Sequence, residues 1–154
     1  CVIRTGELNN SSLVARPLGR FRWVTCASPD YLREYGVPPS PEALSQHRAV
    51  HYFSGQARRA DEFRFVRHGE TFSVPVSGNA AVNETGLYIK MCLAGFGLAQ
   101  LAENIVADHL QEGRLVEVLT DWQPPPVPVT LLYPHQRFLS PAVRAFAEWM
   151  SEVV

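Results

Sequence analysis

Apolar residues recur every three or four positions near the end of the chain and predict one stripe on a helix. The helix is expected to begin at Ser140-Pro141, because Ser caps helix N-termini and Pro fits the first turn. The same dipeptide precedes two shorter helical patterns, at Ser28-Pro29 and Ser40-Pro41. The first of these is expected to end at Gly36. The stripe on the last helix consists of Val143, Phe146, Ala147, Met150 and Val154.

Between the helical patterns lie short runs of aromatic and β-branched residues, which predict strands. They occupy residues 1–3, 21–26, 49–53, 98–101, 115–119 and 127–133. Residues 63–66 and 72–76 predict a β-hairpin that turns at His68-Gly69. Two more helices are expected, one capped by Asn83 and one over residues 103–110. Helices that alternate with strands predict an α/β fold with a mostly parallel or mixed sheet.

Composition narrows the class of protein. The 154 residues are 46% hydrophobic and 19% charged, which suits one globular domain or two lobes. A net charge of -1 leaves no basic excess for a phosphate backbone, so any DNA contact is expected outside these residues. Neither a long apolar run nor a signal peptide is visible, which favours the cytoplasm. The chain opens without Met in a strand-like run, so we expect a fragment that lacks its N-terminal portion.

The sequence has three cysteines, Cys1, Cys26 and Cys92, which are far apart and form no C-x-x-C pair. They are expected to be buried thiols in a reducing compartment. His47 and His51 have helical metal-site spacing, but the pattern changes from helix to strand between them. We therefore expect neither a metal site nor a cofactor.

One motif points to an enzyme. Arg67-His68-Gly69-Glu70 is similar to the signature of histidine phosphatases, in which the His accepts a phosphoryl group and the Arg holds it. That chemistry requires a second His and further Arg residues around the phosphate. The alternative interpretation is an ordinary hairpin turn.

Read in order, several segments resemble the effector-binding domain of LysR-type transcriptional regulators. They are residues 1–8, 13–19, 23–32, 93–102, 112–122 and 132–146. The resemblance implies a periplasmic-binding-protein type II-like α/β fold. It would have one complete lobe with a mixed sheet and remnants of a second lobe. The implied division is 1–24 as the remnant of lobe one, 25–133 as lobe two and 134–154 as a helix that returns to lobe one. The crossovers between lobes would lie near residues 25–27 and 132–134.

The resemblance also implies a function. A small organic acid or an aromatic effector would bind between the lobes and control DNA binding by an N-terminal winged helix-turn-helix outside this chain. The protein would be a homo-oligomer, a dimer or tetramer, and neither an enzyme nor a membrane protein. A histidine-phosphatase-like hydrolase and a solute-binding protein remain alternatives. The ligand-binding residues carried over from the family are Arg4, Thr5, Tyr52, Phe53 and Ser54.

The truncation has an expected consequence. In the family, the last helix packs on elements that precede this segment, so the apolar side chains of Val143, Phe146 and Met150 should lack part of their partner. Because each such side chain contributes roughly 1.5–3 kcal/mol when buried, a second chain or a rearranged helix is expected to cover them.

Overall fold

A computed structural model of the protein describes residues 1–6, 13–53, 62–134 and 140–153. The strands in this part are β1 (Val2–Thr5), β2 (Leu13–Phe21), β3 (Trp23–Ala27), β4 (Arg48–Tyr52), β5 (Glu62–Arg67), β6 (Glu70–Pro75), β7 (Ser77–Val82), β8 (Ala99–Ala102), β9 (Val116–Val118) and β10 (Val127–Pro134). The helices are α1 (Pro29–Tyr35), a 3₁₀ helix (Pro41–Gln46), α2 (Thr85–Leu93), α3 (Glu103–Gln111) and α4 (Pro141–Val153).

Contacts divide the chain into two compact units. Unit 1 comprises Cys1–Phe21 and Pro126–Val154, and unit 2 comprises Arg22–Pro125. The division into 1–24, 25–133 and 134–154 stays a prediction. No helix in the described ranges is both long and apolar enough to cross a bilayer.

Unit 2 is built on a mixed sheet. Strand β3 lies between β8 and β9 and is antiparallel to both, whereas β4 and β7 are parallel. A parallel bridge from Ala49 to Leu98 joins the two groups, since Val50 N donates to Leu98 O and Leu98 N donates to Arg48 O, each at 2.9 Å. The prediction of a mixed α/β sheet is confirmed.

Both faces of this sheet are covered, because successive side chains of β4 point to opposite faces and three in a row are buried. Val50 belongs to a core cluster with residues of α2 and α3, among them Cys92 and Val106. Its neighbour Ala49 belongs to a second cluster on the opposite face, together with Tyr31 of α1 and Phe65 of β5.

The predicted Ser-Pro starts are confirmed for α1 and α4. Ser28 Oγ accepts a hydrogen bond from Tyr31 N at 3.2 Å, and Gly36 follows α1 with a φ of 82°. Ser40 instead begins a 3₁₀ helix and makes no side-chain cap. The strand predicted over 21–26 is divided, because Phe21 ends β2 and Arg22 separates it from β3.

The predicted hairpin is confirmed as the antiparallel pair β5 and β6. Its turn contains His68 at a φ of 51° and Gly69 at 80°, and both residues are exposed. Arg67 donates to Glu42 Oε1 at 2.9 Å, and its guanidinium lies 5.1 Å from the ring centre of Phe72. His68 therefore lies at an exposed turn, as the hairpin interpretation of the motif predicts.

The cysteines are free thiols, but only two are buried. The prediction is wrong for Cys1, which is exposed because it precedes an edge strand whose residues are all exposed. Cys92 Sγ donates to Cys26 O at 3.6 Å. Its hydrogen bonding with Cys26 and its burial raise the pKa of the Cys92 thiol, so Cys92 stays protonated in the folded core.

Unit 1 is a three-stranded antiparallel sheet with β10 in the middle, followed by α4. The centre of β10 is buried, whereas β1 is exposed along its length. On α4, Ala147 is buried, while Val143, Phe146 and Met150 are half-buried. Trp149 is 54% exposed and lies 6.0 Å from the Phe146 ring. The expectation that this face is covered by a further chain or segment stays a prediction.

Candidate functional site

Polar and aromatic side chains meet at one edge of the unit 2 sheet. Because β4 is parallel to β7 and to the bridge at Leu98, the carboxyl ends of β4, β7 and β8 lie at the same edge. The antiparallel β3 begins there with Trp23. Tyr52 ends β4, and Phe53 follows it with its N–H bonded to Val82 O at 2.9 Å. The carboxyl ends of strands are where open α/β sheets bind ligands.

A recess of about 210 Å³ opens between β3, β4, β5 and β8, and we call it the edge recess. It lies wholly within unit 2 and has largely aromatic walls. The Tyr52 and Tyr88 rings are 5.5 Å apart, and Tyr52 Oη donates to Asn83 O at 3.3 Å. The lining residues are Trp23, Val50, His51, Tyr52, Glu62, Phe63, Arg64, Tyr88 and Gln100.

The side-chain amide of Gln100 attaches the β5–β6 hairpin to the sheet beside the edge recess. Its Oε1 accepts from Arg64 N at 3.1 Å, and its Nε2 donates to Arg64 O at 3.0 Å and to Thr25 Oγ1 at 3.2 Å. The amide thus makes the pair of hydrogen bonds to Arg64 that the backbone of a neighbouring strand would otherwise make. Both of its N–H groups are used, so it presents no further donor to a ligand.

Tyr88 contributes a buried phenol to the same recess. Its Oη accepts from Gln100 N at 3.1 Å. Burial raises the pKa of Tyr88 well above its ordinary value, so the group stays neutral and uncharged at physiological pH.

Helix α2 begins at this edge and is capped by Glu84. Its carboxylate accepts from Gly86 N at 2.7 Å and from Leu87 N at 2.6 Å. The prediction of Asn83 as the cap is wrong, because the helix begins at Thr85 and the Glu84 side chain accepts from the N–H groups two and three residues ahead of it. These two hydrogen bonds lower the pKa of Glu84.

The Glu84 cap predicts a pH dependence. Since the folded pKa is depressed, its contribution to stability is present above the ordinary pKa of 4.5 and is lost as the pH falls through the folded value. We expect the Glu84→Gln variant to be less stable than the wild type at pH 7, with the difference shrinking as the pH falls below 4.5. Urea unfolding at several pH values measures this. A difference that is constant with pH would show that the carboxylate charge has no role in capping.

The structure distributes the predicted ligand-binding residues over both units. Arg4 and Thr5 lie on the exposed β1 of unit 1, where Thr5 pairs with Val129. Tyr52 and Phe53 lie together at the edge of the unit 2 sheet. Ser54 lies outside the described residues.

Sequence reasoning missed Trp23, Arg64 and Gln100 as neighbours of Tyr52. All three residues lie in predicted strands. No local feature of the sequence, however, indicates that β3 pairs with β8 or that β5 lies next to them.

His47, one of the two histidines with metal-site spacing, lies in a local hydrogen-bonded cluster. His47 is buried beside Tyr31, whose Oη lies 3.1 Å from His47 Nδ1, and burial lowers the pKa of His47. Tyr31 Oη also accepts from Arg48 N at 2.9 Å. Within the described residues, no group of His, Cys, Asp and Glu side chains is arranged to hold a metal ion.

Fold and site define a class: an α/β ligand-binding domain of the periplasmic-binding-protein type II kind. The chain matches the LysR substrate binding domain over residues 1–154 and belongs to that family. It is therefore the effector-binding domain of a LysR-type transcriptional regulator, and the hydrolase alternative finds no support.

Relatives and solved structures agree with this assignment. The chain is 36% identical over its whole length to the HTH-type transcriptional regulator YhjC of Escherichia coli, covering 52% of that protein. It is 37% identical over 99% of its length to an HTH-type transcriptional repressor of Pseudomonas aeruginosa, covering 48%. The regulatory domain of CrgA from Neisseria meningitidis superposes with a TM-score of 0.81 at 25% identity, covering 98% of this chain and 73% of that domain. The chain thus spans about half the length of these two relatives.

Proposed function

We propose that a small organic acid or aromatic effector binds this domain between its two lobes, held by Arg4, Thr5, Tyr52, Phe53 and Ser54. The observation that carries the proposal is the position of Tyr52 and Phe53 at the carboxyl edge of the sheet, beside an aromatic-walled recess. Such an edge offers an apolar wall with a few polar groups, which is the usual composition of a small-molecule site.

Effector binding would then control DNA binding by a winged helix-turn-helix elsewhere in the full-length protein. The relatives named HTH-type regulators support this, as does the absence of a basic excess in a sequence of net charge -1. In this proposal the protein is a cytoplasmic homo-oligomer that regulates transcription and has no catalytic role.

Operator binding by the full-length protein tests this function. We expect footprinting to show a protected DNA site, and we expect its extent or affinity to change when an effector is added. A ligand that binds two conformations of the protein with different affinities shifts their populations. A full-length protein that binds no DNA would contradict the proposal. So would turnover of p-nitrophenyl phosphate that is lost in a His68→Ala variant.

The Arg4→Ala variant tests the contribution of unit 1. If Arg4 binds an effector carboxylate, its loss should weaken binding by about 1.5–3 kcal/mol, measured by calorimetry on the full-length protein. Arg20→Ala is a matched control, since Arg20 is also exposed on a strand of the same sheet. Equal affinities for the Arg4→Ala variant and the wild type would remove Arg4 from the site.

A further inference from the structure

The size of the edge recess limits what can enter it. Its volume of about 210 Å³ is below the roughly 300–1,000 Å³ of sites for drug-sized ligands. It exceeds the roughly 150 Å³ of an apolar cavity that binds benzene. The recess therefore has room for one substituted six-membered ring.

The walls of the recess suit the faces of an aromatic ring. Trp23, Phe63 and the tilted pair Tyr52 and Tyr88 line it, and aromatic pairs favour the tilted or offset arrangements that a ring between them would adopt. Gln100, which also lines the recess, uses both of its N–H donors on Arg64 O and Thr25 Oγ1. This amide therefore offers no donor to a carboxylate.

Arg64 supplies a cation at the mouth of the recess. It lines the recess, is exposed, and forms no ion pair with any side chain in the described ranges. Arg67, three residues along the same strand, is by contrast paired with Glu42 at 2.9 Å. A guanidinium is well suited to bind a carboxylate with two parallel hydrogen bonds.

Glu62 adds a second constraint, because it also lines the recess and is exposed. A ligand with two carboxylates would bring its second charge close to this like charge, which disfavours binding. The mouth therefore selects for a single negative charge.

We propose that the edge recess receives the ring of a single-ring aromatic monocarboxylate, whose carboxylate binds Arg64. The proposal rests on the effector-binding function and specifies the ligand class and a specificity-determining residue that the family resemblance does not supply.

Calorimetry on the full-length protein tests the proposal with four probes: benzoate, benzamide, cyclohexanecarboxylate and phthalate. Benzoate should bind most tightly, because benzamide lacks the charge, cyclohexanecarboxylate lacks the aromatic faces and phthalate carries a second carboxylate. The Arg64→Gln variant should bind benzoate about tenfold to a hundredfold more weakly, whereas Arg67→Gln should stay within about twofold of the wild type. Affinity for benzamide should not distinguish the two variants.

Two results would overturn the proposal. One is unchanged benzoate affinity in Arg64→Gln. The other is benzoate binding no more tightly than the other three probes, or not at all. In either case the effector-binding function is judged separately by the operator footprint, which is independent of these probes and of Arg64.

Discussion

Replacing Gln100 with leucine is expected to lower the free energy of unfolding by about 2–4 kcal/mol. Leucine has a similar size but leaves Arg64 N, Arg64 O and Thr25 Oγ1 without the amide that bonds them. Each buried polar group that loses its partner costs about 1–3 kcal/mol, and water can reach part of this site through the recess. The hairpin should therefore loosen before the rest of unit 2 unfolds.

Urea unfolding measures the loss, and amide hydrogen exchange locates it. In the wild type, the backbone N–H groups of β5 that face away from β6 have two acceptors. Arg64 N donates to the Gln100 amide, and Val66 N donates to Gln123 O at 2.9 Å. Protection should fall at the Arg64 amide and persist at residues of β3. Gln111→Leu, at an exposed position on α3, is the control and should change stability by less than about 0.5 kcal/mol. Equal effects at the two positions would show that the Gln100 amide does not hold the hairpin.

Local chemistry explains which elements the sequence predicts well. Ser28 and Ser140 cap helices through contacts three residues away, so the sequence contains the whole interaction. The His68-Gly69 turn is likewise local. Strand β7 was missed because Ser77–Val82 contains Gly, Asn and Ala in place of β-branched and aromatic residues. It is a strand because β4 offers it a parallel partner, which is a tertiary effect.

The candidate site divides in the same way. The family resemblance identifies Tyr52 and Phe53, and the structure brings them together at the sheet edge. The edge recess also needs Arg64 and Gln100, which are 36 positions apart and meet through a side-chain amide. Periodicity assigns each residue to an element and a face but does not determine which strands become neighbours, so this recess was not predictable from the sequence alone.

Replacing Gly78 with alanine is expected to destabilise unit 2 by about 3 kcal/mol, the upper end of the usual cost of overpacking. A Cβ at this position would lie 2.1 Å from Ala49 O and 2.6 Å from His51 Nε2. The register between β4 and β7 shifts here, since Arg48 pairs with Ser77 whereas Val50 pairs with Ala80. Glycine permits this close approach at a bulge. A Cβ has no rotamer by which to avoid the backbone carbonyl, so β7 must move away from β4.

Gly113→Ala separates this steric effect from the conformational preference of glycine. Gly113 has a φ of 69° and nothing within 4 Å of an added Cβ, so alanine there costs only about 1 kcal/mol of backbone strain. Thermal and urea unfolding of the two variants should therefore differ severalfold in their loss of stability. Because Tyr52 lies one residue beyond His51, the Gly78→Ala variant should also bind effector more weakly wherever it still folds. A Gly78→Ala variant as stable as Gly113→Ala would show that β4 and β7 are not held at this spacing.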